Sequence, residues 1–322
     1  MESTETIMRK CMGTDKLKVS IVMAVYNPNF IWLVQQFTSL NEQTYDNLEL
    51  YVMDDCSPKV NFDKLCDWVH QYVTNFPVNI LQNDKNLGSN NTFSYLTGLV
   101  QGEYIAYCDQ DDIWERDKIA VLVETIQREK SVLAYSDMSV IDGDGGIIAK
   151  TLKEIRPRID FVSGTNLMKV YAFANCTAGC SMVVESDIAK RALPFIHDTV
   201  YDQWICLVAS ACGKISYVNR QLVKYRQHGE NQTGILTGTV DKASYEKMRI
   251  TPMVNRVTEC KRRMEIPEEI VEFARVRQQK NLLGIWKYRG LCKKDAMFEL
   301  AMACTPNWMV KILLAKIRGK YT

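Results

Sequence analysis

The sequence predicts an α/β fold in which a mostly parallel sheet is flanked by helices and followed by a helical C-terminal extension. From residue 18 onward, short apolar and β-rich runs alternate with longer segments of helical spacing. The runs are apolar almost throughout, as expected for parallel strands covered on both faces. Near the C-terminus the spacing becomes mostly helical. We therefore divide the chain into an N-terminal tail (1–17), an α/β domain (18–242) and a helical, basic C-terminal region (243–322).

Five apolar runs are predicted strands, and they lie at residues 18–26, 48–54, 78–82, 104–108 and 132–136. The segments between them predict helices near 30–43, 60–75, 89–100 and 115–130. A further loop and strand is predicted at 175–184. In parallel sheets of this kind, ligands bind beyond the carboxyl ends of the strands. Three of these ends carry polar side chains, namely Tyr26–Asn27, Asp54–Asp55 and Asp109–Asp112.

Composition excludes several classes of protein. The eleven cysteines form no CxxC pairs and lack the spacing of metal ligands. This favours reduced thiols in a cytoplasmic protein over disulfides or a zinc site. The N-terminus lacks the apolar core of a signal peptide, and no apolar run reaches the 18 residues of a membrane span. We therefore expect a soluble or peripheral protein, without nucleic acid among its partners.

The charge is unevenly distributed. Net charge is +2, but residues 275–322 hold eleven Lys/Arg against two acids, so this segment is +9 and the remainder −7. The stretch "NWMVKILLAKIRGKYT" sets apolar against basic residues at helical spacing. Such a basic amphipathic helix can lie on an anionic membrane, and a terminal helix packed on the domain or on a partner subunit explains the pattern equally well. A homo-oligomer is compatible with the sequence.

Three carboxylates within four positions, Asp109, Asp111 and Asp112, follow the fourth predicted strand in "YIAYCDQDDIW". Like charges this close raise one another's pKa and destabilise the fold unless a cation or hydrogen-bond donors lie among them. The cluster therefore predicts a ligand site. No GxGxxG follows the first strand and no GxxxxGK[ST] occurs, which disfavours a dinucleotide-binding enzyme and a P-loop NTPase.

Six motifs occur in order: "VSIVMAVYN", "MDDCSP", "NDKNLG", "YCDQDDIW", "YDQWICLVA" and "YRQHGENQTG". This series of motifs spans roughly residues 18–235, and in it the chain resembles family 2 glycosyltransferases. These are inverting enzymes with a nucleotide-diphospho-sugar donor and a GT-A fold. The last three motifs are most similar to the bacterial rhamnosyltransferase-type branch, which works on surface polysaccharides. The resemblance implies transfer of a sugar to a hydroxyl of a glycan or lipid-linked acceptor at the inner face of the membrane. The resemblance alone is what suggests dTDP-rhamnose as the donor.

The resemblance also implies where the nucleotide-sugar binds. Asp55 would accept a hydrogen bond from the imide of uracil or thymine, although an Asx-turn with the "CSPK" loop is an alternative. Asp109 would lie near the ribose. An ordinary turn explains "NLG" equally well when it is taken alone. The remaining residues matched to the nucleotide-sugar site are Tyr26, Asn27, Asn86, Gly88, Gln110 and Arg226.

A divalent metal, Mg²⁺ or Mn²⁺, is implied by the match of Asp109-Gln110-Asp111 to the family's DxD, since these metals prefer hard oxygen ligands. Asp111 would bind the metal. His228 would complete the metal shell or, with Arg226, clasp the diphosphate, although a lone histidine is usually structural. Asp112 is either part of this site or the cap of the following helix.

Asp202 resembles the family's general base, which takes the acceptor hydroxyl proton as that hydroxyl attacks the anomeric carbon. A helix N-cap is the alternative for Asp202, and Asp198 is a rival for the base. The small-residue loop 175–181 either lies beside the donor sugar and acceptor or is a tight turn between core strands. Two other functions stay open: a sugar-phosphate nucleotidyltransferase, which should carry a Gly-rich, Arg-containing loop after the first strand, and a non-catalytic sugar-nucleotide or glycan-binding module.

Overall fold

The computed structural model describes residues 16–229 and 238–318. Nine strands form one sheet: β1 (Val19–Val25), β2 (Leu48–Asp54), β3 (Val78–Gln82), β4 (Tyr104–Cys108), β5 (Ile113–Trp114), β6 (Leu133–Ile141), β7 (Ile147–Ala149), β8 (Met182–Glu185) and β9 (Ile215–Arg226). The first helices are α1 (Phe30–Asn41), α2 (Phe62–Tyr72), α3 (Ser89–Leu99), α4 (Lys118–Glu129), α5 (Leu152–Ile155), α6 (Met168–Phe173), α7 (Ser186–Arg191) and α8 (Tyr201–Cys212). The C-terminal part adds α9 (Lys242–Tyr245), a π-helical turn (Glu246–Ile250), α10 (Thr251–Arg263), α11 (Glu268–Gln278), α12 (Leu282–Tyr288), α13 (Lys293–Cys304) and α14 (Asn307–Arg318).

The strand order is β3-β2-β1-β4-β8-β6-β9-β5, with β7 paired to β6. Strands β3, β2, β1 and β4 are parallel, and β6 is parallel to β9, whereas β8 runs antiparallel between β4 and β6. The register pairs Val25 with Asp54 and Met23 with Cys108. The polar residues that follow these strands therefore meet at one edge of the sheet, as the sequence predicts.

Local sequence explains where the first helices begin. The side chain of Asn29 accepts hydrogen bonds from the backbone N–H groups of Ile31 and Trp32, and Asn61 does the same at the start of α2. Gly88 precedes α3 with a φ of 79°, which a side chain would disfavour. These signals place α1 to α4 where the sequence predicts helices.

The core lies on both faces of the sheet because alternate residues of each strand point in opposite directions. In β1, Ile21 packs with the cluster covered by α1, α2 and α4. Val22 packs with the cluster covered by α3, α6 and α8. The α/β class and the mostly parallel sheet flanked by helices are confirmed.

The C-terminal helices belong to the same core as α6 and α8, since Met253, Phe273 and Ala296 share one buried cluster with them. The region is helical, as predicted, while the division of the chain at residues 242 and 243 stays a prediction. A buried ion pair, Arg277 Nη2 to Glu299 Oε1 at 2.6 Å, lies among these helices.

A second buried arginine joins the C-terminal helices to the α/β part. The guanidinium of Arg256, on α10, donates hydrogen bonds to the carbonyl oxygen of Ala172 at 2.8 and 3.1 Å. It also donates to the hydroxyl of Thr199 at 3.3 Å. The neighbouring Asn255 donates to Asp198 at 2.8 Å. Helix α10 therefore fastens both α6 and the segment that leads into α8.

The last helix, α14, buries Val310 and Leu314 and exposes another apolar set, Trp308, Met309, Ile312 and Leu313. Of the residues in the predicted amphipathic stretch, Lys320 lies outside the described part of the chain. Among the described helices, none is both long and apolar enough to cross a bilayer.

Candidate active site

Asp55 anchors the loop after β3. Its carboxylate accepts hydrogen bonds from the backbone N–H groups of Leu87 and Gly88, both at 2.8 Å, and from the side-chain amide of Asn83 at 2.7 Å. Asp55 is buried, while Asn86 in the same loop is exposed. The loop with Asn86 and Gly88 is thereby held beside the end of β2, where the sequence predicts the nucleotide.

The side chain that accepts from the backbone of the "CSPK" loop is that of Asp54, not Asp55. Both carboxylate oxygens of Asp54 accept a hydrogen bond from the N–H of Ser57, at 3.2 and 3.3 Å. That alternative was wrong for Asp55 because its side chain points to the loop after β3. Sequence alone could not separate these adjacent acids, since the difference depends on residues about thirty positions away.

The turn after β1 is tied to the acidic turn after β4. The side chain of Gln110 accepts from the N–H of Tyr26 at 2.8 Å and donates to its carbonyl oxygen at 3.1 Å. The side chain of Tyr26 is 43% exposed, so its ring is available to a ligand. Asn27 has a φ of 43° and its side chain accepts from the N–H of Lys59 at 3.1 Å. Gln110 therefore shapes the turn through backbone contacts.

Asp111 and His228 meet at the mouth of the site. The Nε2 of His228 lies 2.8 Å from Oδ2 of Asp111, and the imidazole packs on the ring of Trp32 with centroids 4.8 Å apart. Both side chains are partly exposed, at 15% and 19%. A carboxylate and an imidazole that are 117 positions apart in the sequence are thus brought together, as the predicted metal site requires.

Arg226 is buried rather than open to a ligand. Its guanidinium donates to the carbonyl oxygens of Asp111 and Asp142, both within 2.9 Å, and to Gln35 at 2.6 Å. The guanidinium also lies over the ring of Trp32, 5.3 Å from its centroid. This placement favours a role in which Arg226 holds the acidic turn in position, rather than the predicted direct contact with the diphosphate.

Two acids of the acidic turn form a largely buried polar cluster with a cysteine. Carboxylate oxygens of Asp109 and Asp112 and the thiol sulfur of Cys180 lie within 4.8 Å of one another. Burial, with the charge of Asp111 as the next cause, raises the pKa of Asp109 and of Asp112. Asp112 accepts the N–H of Arg226 at 2.9 Å, and helix α4 begins after Asp117. The helix-cap alternative for Asp112 was therefore wrong.

Lys118 supplies a cation to this cluster, and sequence reasoning missed it. Its ammonium is fully buried, donates to the carbonyl oxygen of Cys180 at 2.6 Å and lies 2.9 Å from the ring centroid of Trp114. Burial lowers its pKa, while Cys108, Cys180 and the carboxylates Asp112 and Asp109 oppose that shift. A lysine at the start of a helix looks solvent-exposed in the sequence, so only the fold reveals this role.

Asp202 lies in the first turn of α8, and each of its oxygens has a donor. Oδ1 accepts from the N–H of Gln203 at 2.6 Å and from the side-chain amide of Asn175 at 2.9 Å. Oδ2 accepts from the N–H of Gly179 at 3.2 Å. Burial nevertheless raises the pKa of Asp202 to about 6. Val200 occupies the N-cap, so Asp202 does not cap the helix.

The loop 175–181 therefore supplies donors that hold Asp202 in place. The sequence alone left the role of this loop open. Asn175 was missed as an orienting residue, although "NCTAGCS" singled out its loop. The rival Asp198 is exposed and accepts from Asn255 at 2.8 Å. Gly179, which donates to Asp202, lies one position before Cys180, whose sulfur is within 4.8 Å of carboxylate oxygens of Asp109 and Asp112, so the predicted base lies near the acidic turn.

Comparison with known proteins agrees with this architecture. The sequence model of "Glycosyl transferase family 2" matches residues 20–190, more than half of the chain. An Escherichia coli relative, the UDP-Glc:alpha-D-GlcNAc-diphosphoundecaprenol beta-1,3-glucosyltransferase WfgD, is 25% identical over 66% of this chain and 78% of its own. The dTDP-rhamnosyl transferase RfbG of Shigella flexneri is 24% identical over 70% of this chain and 78% of its own.

Solved structures share the fold. TarS of S. aureus, solved in complex with UDP-GlcNAc, superposes with a TM-score of 0.58 at 13% identity, covering 95% of this chain and 88% of that one. The mannosyltransferase PcManGT from Pyrobaculum calidifontis, in complex with GDP-Man and Mn²⁺, gives a TM-score of 0.55 at 15% identity, covering 95% of this chain and 81% of that one. The fold is GT-A, as expected, and the chain belongs to glycosyl transferase family 2.

Proposed function

We propose that this glycosyltransferase moves a sugar with inversion from a nucleotide-diphospho-sugar to an acceptor hydroxyl, with Asp202 as the general base. The observation that carries the proposal is the fixed carboxylate of Asp202, held by the loop whose Cys180 touches the acidic turn 109–112 that would receive the donor. Inversion needs a base opposite the leaving group, and a carboxylate held by three donors is oriented in advance for this task.

We propose that Asp111 and His228 hold a divalent cation, Mg²⁺ or Mn²⁺. Their donor atoms converge within 2.8 Å of each other at a partly exposed rim, which leaves room for water and phosphate oxygens. When bound, the cation would offset negative charge on the departing diphosphate. The complex of PcManGT with Mn²⁺ supports this choice. The deeper cluster of Asp109, Asp112 and Cys180 fits less well because the buried ammonium of Lys118 already lies beside it.

The donor and acceptor are proposed from the relatives. RfbG is named for dTDP-rhamnose, and WfgD for UDP-glucose and an acceptor on diphosphoundecaprenol. We propose dTDP-rhamnose as donor, UDP-glucose as the alternative, and a lipid-linked glycan of bacterial surface polysaccharide as acceptor. The exposed apolar residues of α14, flanked by lysines, support a site of action at the inner face of the membrane. A homo-oligomer stays a prediction.

A donor screen tests this function. The purified full chain is incubated with dTDP-rhamnose, UDP-glucose, UDP-N-acetylglucosamine or GDP-mannose and a diphosphoundecaprenol-linked sugar. Release of nucleoside diphosphate and extension of the lipid-linked sugar are then measured with and without EDTA. We expect one donor to be turned over, with loss of activity in EDTA that added Mn²⁺ restores. Formation of a nucleotide-sugar from a sugar phosphate and a nucleoside triphosphate would instead favour a nucleotidyltransferase. Donor binding without transfer would favour a non-catalytic module.

A further inference from the structure

Tyr201, which directly precedes the proposed base, has its ring locked in place. It lies 4.4 Å from the ring of Phe93 and 5.1 Å from that of Tyr107, centroid to centroid. Phe195 stacks at 6.3 Å on the same cluster. The residue is only 8% exposed. Since three aromatic neighbours hold the ring, the position of its hydroxyl is fixed by packing.

The hydroxyl of Tyr201 points to the loop that holds Asp202. A Cβ atom on Gly179 would collide with this oxygen, so only glycine permits the approach. The N–H of the same Gly179 donates to Asp202 at 3.2 Å. The phenol therefore lies beside the proposed base, against the backbone of the small-residue loop.

Among residues 16–229 and 238–318 this hydroxyl makes no hydrogen bond, and its oxygen is absent from the set of fully buried unpaired polar atoms. The ring is therefore packed while the hydroxyl oxygen is still open to a partner from outside the chain, and a tyrosine hydroxyl in a largely buried position usually has such a partner. By contrast, the hydroxyl of the adjacent Tyr107 pairs with that of Thr97 at 2.8 Å. An unpaired donor in a rigid, mostly buried ring points to a partner that arrives with the substrate.

The surrounding charge identifies the kind of partner. Burial raises the pKa of Tyr201, and the carboxylates of Asp109 and Asp202 raise it further. The phenol is therefore protonated at neutral pH and able to donate. Its hydroxyl lies against Gly179, which donates to Asp202 and is followed by Cys180, whose sulfur is within 4.8 Å of carboxylate oxygens of the acidic turn. In the proposed reaction the transferred sugar would have to reach this region, between the donor site and the base.

We infer that the Tyr201 hydroxyl donates a hydrogen bond to a hydroxyl of the transferred sugar and so helps to select the donor. This inference rests on the proposed function. A polar group built to pair with a substrate hydroxyl rejects an analogue without that hydroxyl, because the protein group is then left unpaired. Tyr201 is thus a specificity-determining residue that the sequence motif "YDQW" does not reveal.

Tyr201→Phe tests the inference by removing one oxygen. The donor that the wild type uses best in the screen above is compared with its analogues that lack one sugar hydroxyl each. We expect kcat/KM of Tyr201→Phe for the complete donor to fall roughly 10-fold or more, with unchanged affinity for the nucleoside diphosphate alone. One deoxy analogue should be used equally well by the wild type and Tyr201→Phe.

Tyr107→Phe is the matched control, since it removes a hydroxyl that pairs with Thr97 in the same aromatic cluster. It should retain the wild-type ranking of the analogues. Equal kcat/KM of wild type and Tyr201→Phe for every donor would overturn the inference, as would an equal loss on the complete donor and on all of the analogues. Absence of transfer by the wild type with any donor would instead overturn the proposed function.

Discussion

At the scale of single residues, the carboxylate of Asp202 combines two opposed effects. Burial raises its pKa to about 6, while the N–H groups of Gln203 and Gly179 and the amide of Asn175 stabilise the charged form. A base poised near neutral pH accepts a proton readily and is still mostly ionised at pH 7. The exposed Asp198 has no such environment.

Asp202→Asn should reduce transfer to the acceptor by about 10² to 10⁴, because the amide cannot accept the proton. Binding of nucleoside diphosphate and metal, measured by calorimetry, should stay close to that of the wild type. Asp198→Asn is the matched control and should keep its activity. Near-wild-type turnover of Asp202→Asn together with an inactive Asp198→Asn would move the base four residues upstream.

The pH profile offers a second check on Asp202. Only the ionised carboxylate is a base, so kcat/KM should rise with pH through about 6 and level off above it. Asn175→Ala removes one donor that stabilises the charge, so the rising limb should move to higher pH. Asn75→Ala, which removes an exposed asparagine in the loop after α2, should leave the rising limb in place. If the rising limb of the pH profile stays in place in Asn175→Ala, Asp202 is not the group whose titration produces it.

The metal proposal is tested at Asp111. Asp111→Asn should abolish Mn²⁺-dependent binding of dTDP or UDP, because the amide is a weak ligand and its bond to His228 is altered. Its circular dichroism spectrum should match the wild type. Asp117→Asn removes a partly exposed acid of the same segment, paired with Arg220, and should bind normally. Unchanged Mn²⁺-dependent affinity in Asp111→Asn would remove Asp111 from the metal site.

At the scale of elements, α14 presents two surfaces of different character. Val310 and Leu314 are buried, whereas Trp308 and Ile312 are 64% and 51% exposed, with Lys311 and Lys316 on the same helix. Packing on the domain and contact with a membrane are therefore compatible, since they use different faces of one helix. The sequence pattern alone could not separate them, because it shows amphipathicity without showing which apolar residues are covered.

Replacing Trp308, Ile312 and Leu313 together by serine tests the membrane contact. The three side chains are largely exposed, so the fold should persist while co-sedimentation with phosphatidylglycerol vesicles is lost. Ile147→Ser, at a position that is 68% exposed on β7, is the control and should bind as the wild type. Equal vesicle binding by the triple variant would exclude α14 as the anchor. If light scattering shows a concentration-dependent dimer that the triple variant does not form, this face instead contacts a second copy of the chain.

At the scale of the whole molecule, the C-terminal helices and the α/β part form one core. Arg277 and Glu299 are both buried, so each charge depends on the other. Arg277→Met should lower the free energy of unfolding by about 3–5 kcal/mol in urea titrations, since it leaves the carboxylate unpaired. Arg275→Met breaks the more exposed pair with Glu272 and should cost less than about 1 kcal/mol. A loss in Arg277→Met as small as that in Arg275→Met would contradict a structural role for the pair.

The sequence predicts strands β1 to β4, β6 and β8 and helices α1 to α4, with the ends of these helices within three residues, because apolar periodicity reports burial directly. It misses β5, β7 and the long strand β9. Polar roles are predicted less well. The separate partners of Asp54 and Asp55, the burial of Arg226 and the buried ammonium of Lys118 depend on segments distant in the chain. Periodicity identifies which face is apolar, but it carries no information about which distant backbone group a polar side chain will meet.

The hydrogen bonds of Arg256 to Ala172 and Thr199 have a consequence for engineering by recombination. A chimera joined near residue 242 would separate Arg256 from Ala172 and from the hydroxyl of Thr199, which lie in the segments that lead to loop 175–181 and to α8. A transplanted C-terminus that lacks an equivalent arginine would therefore loosen the proposed catalytic centre, even though no residue of that centre had been exchanged.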